Sequence, residues 1–253
     1  MKKIDYKWLM LLLISAAYFL AQGTRQIYAA VLPDIKACFG DAVSDASMGL
    51  AGTVFTLAFG IVIPFAGRAA DFFRRKWIIV VGSALFGTGI LLTGFTTGLP
   101  MLLISYGILN GIGQSLLPPC NSSLIGEFHT DTRGTAFSVY QGAIYSGIVV
   151  CSIAASQMSA WGAEGWRTAF WVFGALSLVW TVIMSIFLKD TPNVGSRAEV
   201  SVKGALQAFF SKPTSLWMMA ALGCYFFATY GSKEAHWNVP VISEQVHTRV
   251  ISV

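Results

Sequence analysis

A chain of 253 residues that is 55% hydrophobic and only 11% charged, with a mean hydropathy of +0.64, lacks the polar groups to cover a water-facing surface. Soluble domains carry about 25% charged residues, so composition excludes an ordinary soluble domain and points to lipid as the solvent. The net charge of +5 comes from basic residues scattered between apolar runs, a topology signal rather than a nucleic-acid footprint, and the four cysteines and three histidines show no metal or redox spacing.

The N-terminal stretch MKKIDYKWLMLLLISAAYFLAQG has the outline of a secretory signal. Signal cores run about 7–15 residues, whereas apolar character here continues from Trp8 to Leu32, which favours a retained first span. Crossing a bilayer takes about 20 mostly apolar residues. Seven runs qualify, at 8–32, 47–66, 77–96, 100–124, 135–158, 168–188 and 214–231. Continuous runs, not alternating ones, predict helices rather than a barrel. With the N-terminus in the cytoplasm, twelve of the seventeen Lys and Arg residues fall inside, four outside and Arg25 within a span. A seven-helix receptor needs the opposite orientation and the opposite charge bias. Residues 189–213, with Pro192 and Gly195, read as a cytoplasmic linker whose 201–211 segment suits a surface amphipathic helix. The polar tail after 231 is too short to cross back and is expected outside.

Arg25 is the anomaly of the first span. It lies 17 residues past Trp8, about 25 Å along a helix axis at 1.5 Å per residue, in the outer half of the apolar core. Snorkelling to the outer headgroups is the bland reading. Its neighbours favour another. Tyr18, Gln22, Arg25 and Tyr28 share one helix face by their spacing. Tyr106, Asn110, Gln114 and Asn121 form a second polar stripe, and Ser138, Gln141 and Tyr145 a third. Three such stripes predict a shared wet cavity; interhelical hydrogen bonding that glues the bundle is the alternative for any single Ser, Asn or Tyr. A guanidinium offers a planar, permanently charged fork for carboxylate or phosphate. The substrate-binding set expected from this pattern is Arg25, Gln22, Tyr28, Asn110, Gln114, Gln141 and Tyr145, with a small anionic solute as ligand.

The segment GRAADFFRRK at 67–76 resembles the loop signature of the major facilitator superfamily, G-x-L-A-D-R-x-G-R-K. Gly67, Ala70, Asp71, Arg75 and Lys76 match; Ala69, Phe72 and Arg74 depart from it. Physically, Gly67 allows two helix ends to approach, Asp71 suits the N-terminus of the third helix, and the basic cluster suits the anionic inner leaflet. GIGQSLLPPCNSSLIGEF at 111–128, RGTAFSVYQGAIYSG at 133–147, GWRTAFWVFGALSLVW at 165–180 and TRQIYAAVLPDI at 24–35 are similar to helices 4, 5, 6 and 1 of the anion:cation symporter and spinster-like branches. The resemblance implies an all-α integral membrane fold: a six-helix N-terminal bundle at 1–188, the linker at 189–213, and at 214–253 a seventh helix that begins an incomplete C-terminal half. It further implies secondary transport of a small organic solute by alternating access, and associates the helix 1 arginine with anionic substrates. Alternating access uses two halves, so a missing C-terminal half or a second copy is the expected partner, beside the lipid bilayer. The readings left open are a fragment, a truncated gene, a half-sized subunit that does not transport alone and a non-transporting membrane assembly protein. Where the family pattern on helix 4 often has Arg and Glu, this chain has Gly107 and Gln114, which speaks against proton symport through this half. At the inner face, Gly67, Asp71, Arg75, Lys76 and Arg133 are the expected gating and loop-motif residues, Arg133 either paired to Asp71 or Glu127 or serving as an ordinary positive-inside charge. The chain holds no P-loop, H-E-x-x-H or G-x-S-x-G, so no enzyme is expected.

Overall fold

A computed structural model describes residues 6–40, 44–162 and 164–189, with scattered positions between 211 and 224. All elements among the described residues are helical, and six helices are long and apolar enough to cross a membrane. We label these α1 (Tyr6–Ala30), α2 (Asp45–Phe72), α3 (Arg75–Thr93), α4 (Leu99–Phe128), α5 (Arg133–Ser159) and α6 (Gly165–Phe187). They match the first six expected spans. The expected linker and seventh span lie largely outside the described residues. The chain divides into two compact units, Met1–Arg197 and Ala198–Val253, and the first holds all six helices.

Local chemistry sets the helix ends. After α1 the chain turns through a short helix, Leu32–Phe39, with Pro33 in its first turn and Gly40 beyond it at a φ of 71°, a backbone that favours glycine. Ser44 caps α2 by accepting from the Ser47 amide at 3.2 Å. The α4 rod is not uniform. Leu103–Leu109 forms a π-helical stretch, and the ladder breaks again at Leu116, before Pro118 and Pro119, which carry no amide proton to continue it.

Packing follows small residues. The most extensive contacts join α1 to α5 and α3 to α4. At Gly147 of α5 an added Cβ would lie 2.4 Å from the Phe19 carbonyl oxygen, and at Gly23 of α1 the nearest atom would be Cys151 Sγ. Those two glycines bring the α1 and α5 backbones into direct contact. At the end of the bundle where α1 begins, His129, fully enclosed, donates from Nε2 to the Lys7 carbonyl at 3.0 Å and meets Thr132 Oγ1 at 2.9 Å, tying α4 to the start of α1. The result sets α1 as the most enclosed of the six spans, packed chiefly against α5 and then α6.

The loop signature sits differently from expectation. α2 continues to Phe72, because Arg68, Ala69 and Ala70 do nothing to stop a helix, so Gly67 and Asp71 are helical. An added Cβ at Gly67 would meet nothing within 4 Å, which removes close approach as its role here. Arg74, not Asp71, occupies the N-cap of α3, with no side-chain cap bond.

Candidate functional site

The four-residue polar face of α1 meets two separate cavities. The first, about 460 Å³, lies between α1, α2 and α4 and is lined by Arg25, Gln26, Tyr28, Phe55 and Tyr106, with Gly49, Gly52, Thr53 and Thr56 completing the α2 wall. This falls within the roughly 300–1,000 Å³ of small-molecule sites. Arg25 is half-buried, with Cζ 4.8 Å from the centroid of the Phe55 ring. Among the described residues no carboxylate pairs with it. Tyr28 and Tyr106 stack at 4.3 Å between centroids, and the Phe55 ring stands 5.8 Å from Tyr106. Both tyrosine hydroxyls donate to backbone: Tyr28 to the Met48 carbonyl at 2.7 Å, Tyr106 to the Arg25 carbonyl at 3.1 Å.

The second cavity, about 540 Å³, lies between α1, α4 and α5. Tyr18, Gln22, Tyr140, Gln141 and Tyr145 line it, and among the described residues no charged side chain does. Tyr18 and Tyr140 stack there at 5.2 Å with their planes 13° apart. Asn121 donates to the Tyr140 hydroxyl at 3.1 Å.

Asn110 and Gln114 line neither cavity. They are 0% and 1% exposed. Gln114 Nε2 donates to the Ala21 carbonyl at 2.7 Å and to Asn110 Oδ1 at 3.0 Å, so this pair bonds α4 to α1. The seven expected residues therefore separate into three groups: Arg25 and Tyr28 at the first cavity, Gln22, Gln141 and Tyr145 at the second, and Asn110 with Gln114 in the helix interface. Sequence reasoning passed over Phe55 and the α2 wall. A signal was present, since Gly49, Gly52, Thr53 and Thr56 share one helix face at spacings of 3, 1 and 3.

At the end of the bundle where α1 begins, Arg75 is buried. It pairs with Glu127 at 2.5 Å and donates from Nε to the Ala70 carbonyl at 3.3 Å. Arg133 does not take the expected ionic partner; its guanidinium donates to the Gly126 carbonyl at 2.8 Å. Asp71 is exposed and Lys76 half-buried.

These features define a multi-pass integral membrane protein with solute-sized cavities between its spans. A family model of the Major Facilitator Superfamily matches residues 14–247, and the chain belongs to that superfamily, a group of transporters rather than enzymes. A probable sulfoacetate transporter of Cupriavidus necator is 29% identical over 203 residues, covering 78% of this chain and 45% of that protein. Spinster homolog 1 of Xenopus laevis is 30% identical over 198 residues, 76% of this chain and 37% of that one. A puromycin resistance protein of Streptomyces alboniger is 31% identical over 202 residues, 79% and 39% respectively. The chain thus spans less than half the length of these curated relatives. Among solved structures, a bacterial homolog of the human lysosomal transporter Spinster, inward-facing and unoccupied, shares the fold with a TM-score of 0.68, at 21% identity over 84% of this chain and 50% of its own.

Proposed function

We propose that this chain supplies the solute-binding half of a secondary transporter for small organic anions, with Arg25 as the anchor. The observation that carries the reading is a half-buried guanidinium on a cavity wall with no carboxylate partner among the described residues. A charge held inside a span is costly and calls for a partner; the solute supplies it. Tyr28 joins Arg25 in holding the anion. Gln22, Gln141 and Tyr145 serve a second, uncharged subsite on the neighbouring face of α1. Asn110 and Gln114 shape both sites indirectly, by fixing α4 against α1. The N-terminus is cytoplasmic, residues 189–213 link the two halves, and 214–253 begins the second.

Alternating access requires a second half, supplied by further residues or by another copy. Gly67, Asp71, Arg75, Lys76 and Arg133 stand at the inner end, and in this reading the Arg75–Glu127 pair holds the inner ends of α3 and α4 together during closure. Thermal unfolding of the detergent-purified chain at constant ionic strength tests the ligand class. Carboxylates and sulfonates are expected to raise the midpoint, while uncharged and cationic analogues of the same size leave it unchanged. Equal stabilisation by the uncharged analogues overturns the proposal.

A further inference from the structure

Resting on the reading of Arg25 as anchor, we infer that Tyr106 is the positioning residue of that site: its hydroxyl holds the α1 main chain at Arg25, so that the guanidinium meets the anion at a set height and angle.

The stretch of α1 that carries Arg25 is a weak one. Gly23, a poor helix former, lies two residues before it, and the span ends at Ala30 with a bend at Val31. An arginine holds its charge at the tip of a long, rotamer-rich stem, so a small rotation of the backbone is amplified at the guanidinium. Three hydrogen bonds brace this stretch. Gln114 donates to the Ala21 carbonyl at 2.7 Å, Tyr106 to the Arg25 carbonyl at 3.1 Å, and Tyr28 to the Met48 carbonyl at 2.7 Å. Ala21 and Arg25 are one turn apart, so α4 grips one row of α1 carbonyls at two successive points, and the second of them is Arg25 itself.

The distortion of α4 serves that grip. Tyr106 and Gln114 are eight residues apart; in a regular α-helix eight residues make two turns and about 80° more, which would turn Tyr106 off the face on which Gln114 meets α1. Leu103–Leu109 is instead π-helical, and the Asn110 amide reaches back five residues to the Ser105 carbonyl. A wider turn advances less per residue and takes up part of that excess, so both side chains reach α1. Neighbouring helices hold the stretch. Thr93 of α3 donates to Ser105 Oγ at 3.2 Å, an added Cβ at Gly89 would lie 2.8 Å from the Ser105 carbonyl oxygen, and one at Gly107 would lie 2.7 Å from Val54 of α2.

Tyr106 also bears on the side chain of Arg25. Its ring stands 5.8 Å from that of Phe55, whose centroid is 4.8 Å from Arg25 Cζ. Contacts that end on Tyr106 thus locate both the main chain and the charged group of Arg25. At 3% exposure, with its hydroxyl on the Arg25 carbonyl, Tyr106 acts through Arg25 rather than on the solute.

The test is a titration of the whole chain in detergent with butyrate, and with butyramide as the uncharged control, on the native protein, Tyr106→Phe, Arg25→Ala and the double variant. Tyr106→Phe keeps the ring and removes one hydroxyl, too small a loss to unfold the bundle. It is expected to weaken butyrate binding about fivefold, the worth of one hydrogen bond, and to leave butyramide unchanged. In the Arg25→Ala background the same substitution should change nothing further, because the group it positions is gone. Unchanged butyrate affinity in Tyr106→Phe, or equal losses in the two backgrounds, overturns the positioning role and leaves Arg25 as anchor. Equal butyrate affinity in the native chain and Arg25→Ala overturns the anchor itself.

Discussion

Replacing Gln114 with leucine separates a structural polar pair from a ligand-binding one. The substitution keeps the volume and removes two bonds, to the Ala21 carbonyl at 2.7 Å and to Asn110 Oδ1 at 3.0 Å. The Ala21 carbonyl still accepts from Thr24 Oγ1 at 3.0 Å, so its loss is small. Interhelical hydrogen bonds in a bilayer average about 0.6 kcal/mol. Asn110 is the larger loser: fully buried, it is left with an orphaned acceptor worth about 1–3 kcal/mol. A cost of about 2 kcal/mol follows, roughly a thirtyfold shift in the folding equilibrium. The native pair already carries two buried atoms without partners, Asn110 Nδ2 and Gln114 Oε1. Removing both amides, in Gln114→Leu with Asn110→Leu, therefore recovers stability and leaves the double variant less destabilised than Gln114→Leu alone. Equilibrium unfolding in mixed micelles measures all three variants, and anion affinity should stay within about threefold of the native value. Additive costs, or a collapse of affinity in a folded Gln114→Leu, would refute the assignment of this pair to the helix interface.

Gly147→Ala should cost about 1–3 kcal/mol, because its Cβ falls 2.4 Å from the Phe19 carbonyl oxygen and forces α1 and α5 apart. Gly142→Ala, on the same helix with nothing within 4 Å, should leave the thermal midpoint unchanged or raised, and equal losses at the two positions would contradict the packing. Arg75→Leu should destabilise by about 3 kcal/mol, the lower end for a broken buried ion pair, since Glu127 keeps 27% of its side-chain surface exposed. Adding Glu127→Gln to Arg75→Leu should restore part of that loss in the same unfolding assay.

The six spans were legible because hydropathy over about 20 residues reports a single physical requirement, burial of backbone polar groups in lipid. Their ends were less so. Asp71 reads as a cap in sequence, yet nothing in Arg68–Ala70 stops α2, and the cap position passes to Arg74. The anomaly of Arg25 was plain in the sequence, and so was the face it shares with Tyr28. What spacing cannot show is which side of a helix meets a cavity and which meets a neighbour. Gln22 and Arg25 lie one turn apart on α1 yet line different cavities, and the Asn110–Gln114 stripe on α4 turns into a contact with α1. Helix packing decides both, and glycines such as Gly23 and Gly147 set that packing through contacts distant in sequence.

Arg25 itself offers the most direct measurement: the dissociation constant of an organic monoanion for the native chain, Arg25→Lys and Arg25→Ala, by titration in detergent at fixed ionic strength. A hydrogen-bonded charge contact is worth about 1.5–3 kcal/mol, and half-burial sets the expectation near 2, so Arg25→Ala should weaken binding about thirtyfold. Arg25→Lys keeps the charge but loses the planar fork, and should fall between the two. Removing Arg25 strands no carboxylate among the described residues, so the variants should fold. Equal affinity across all three proteins would contradict the account, because it would mean that the guanidinium does not hold the solute.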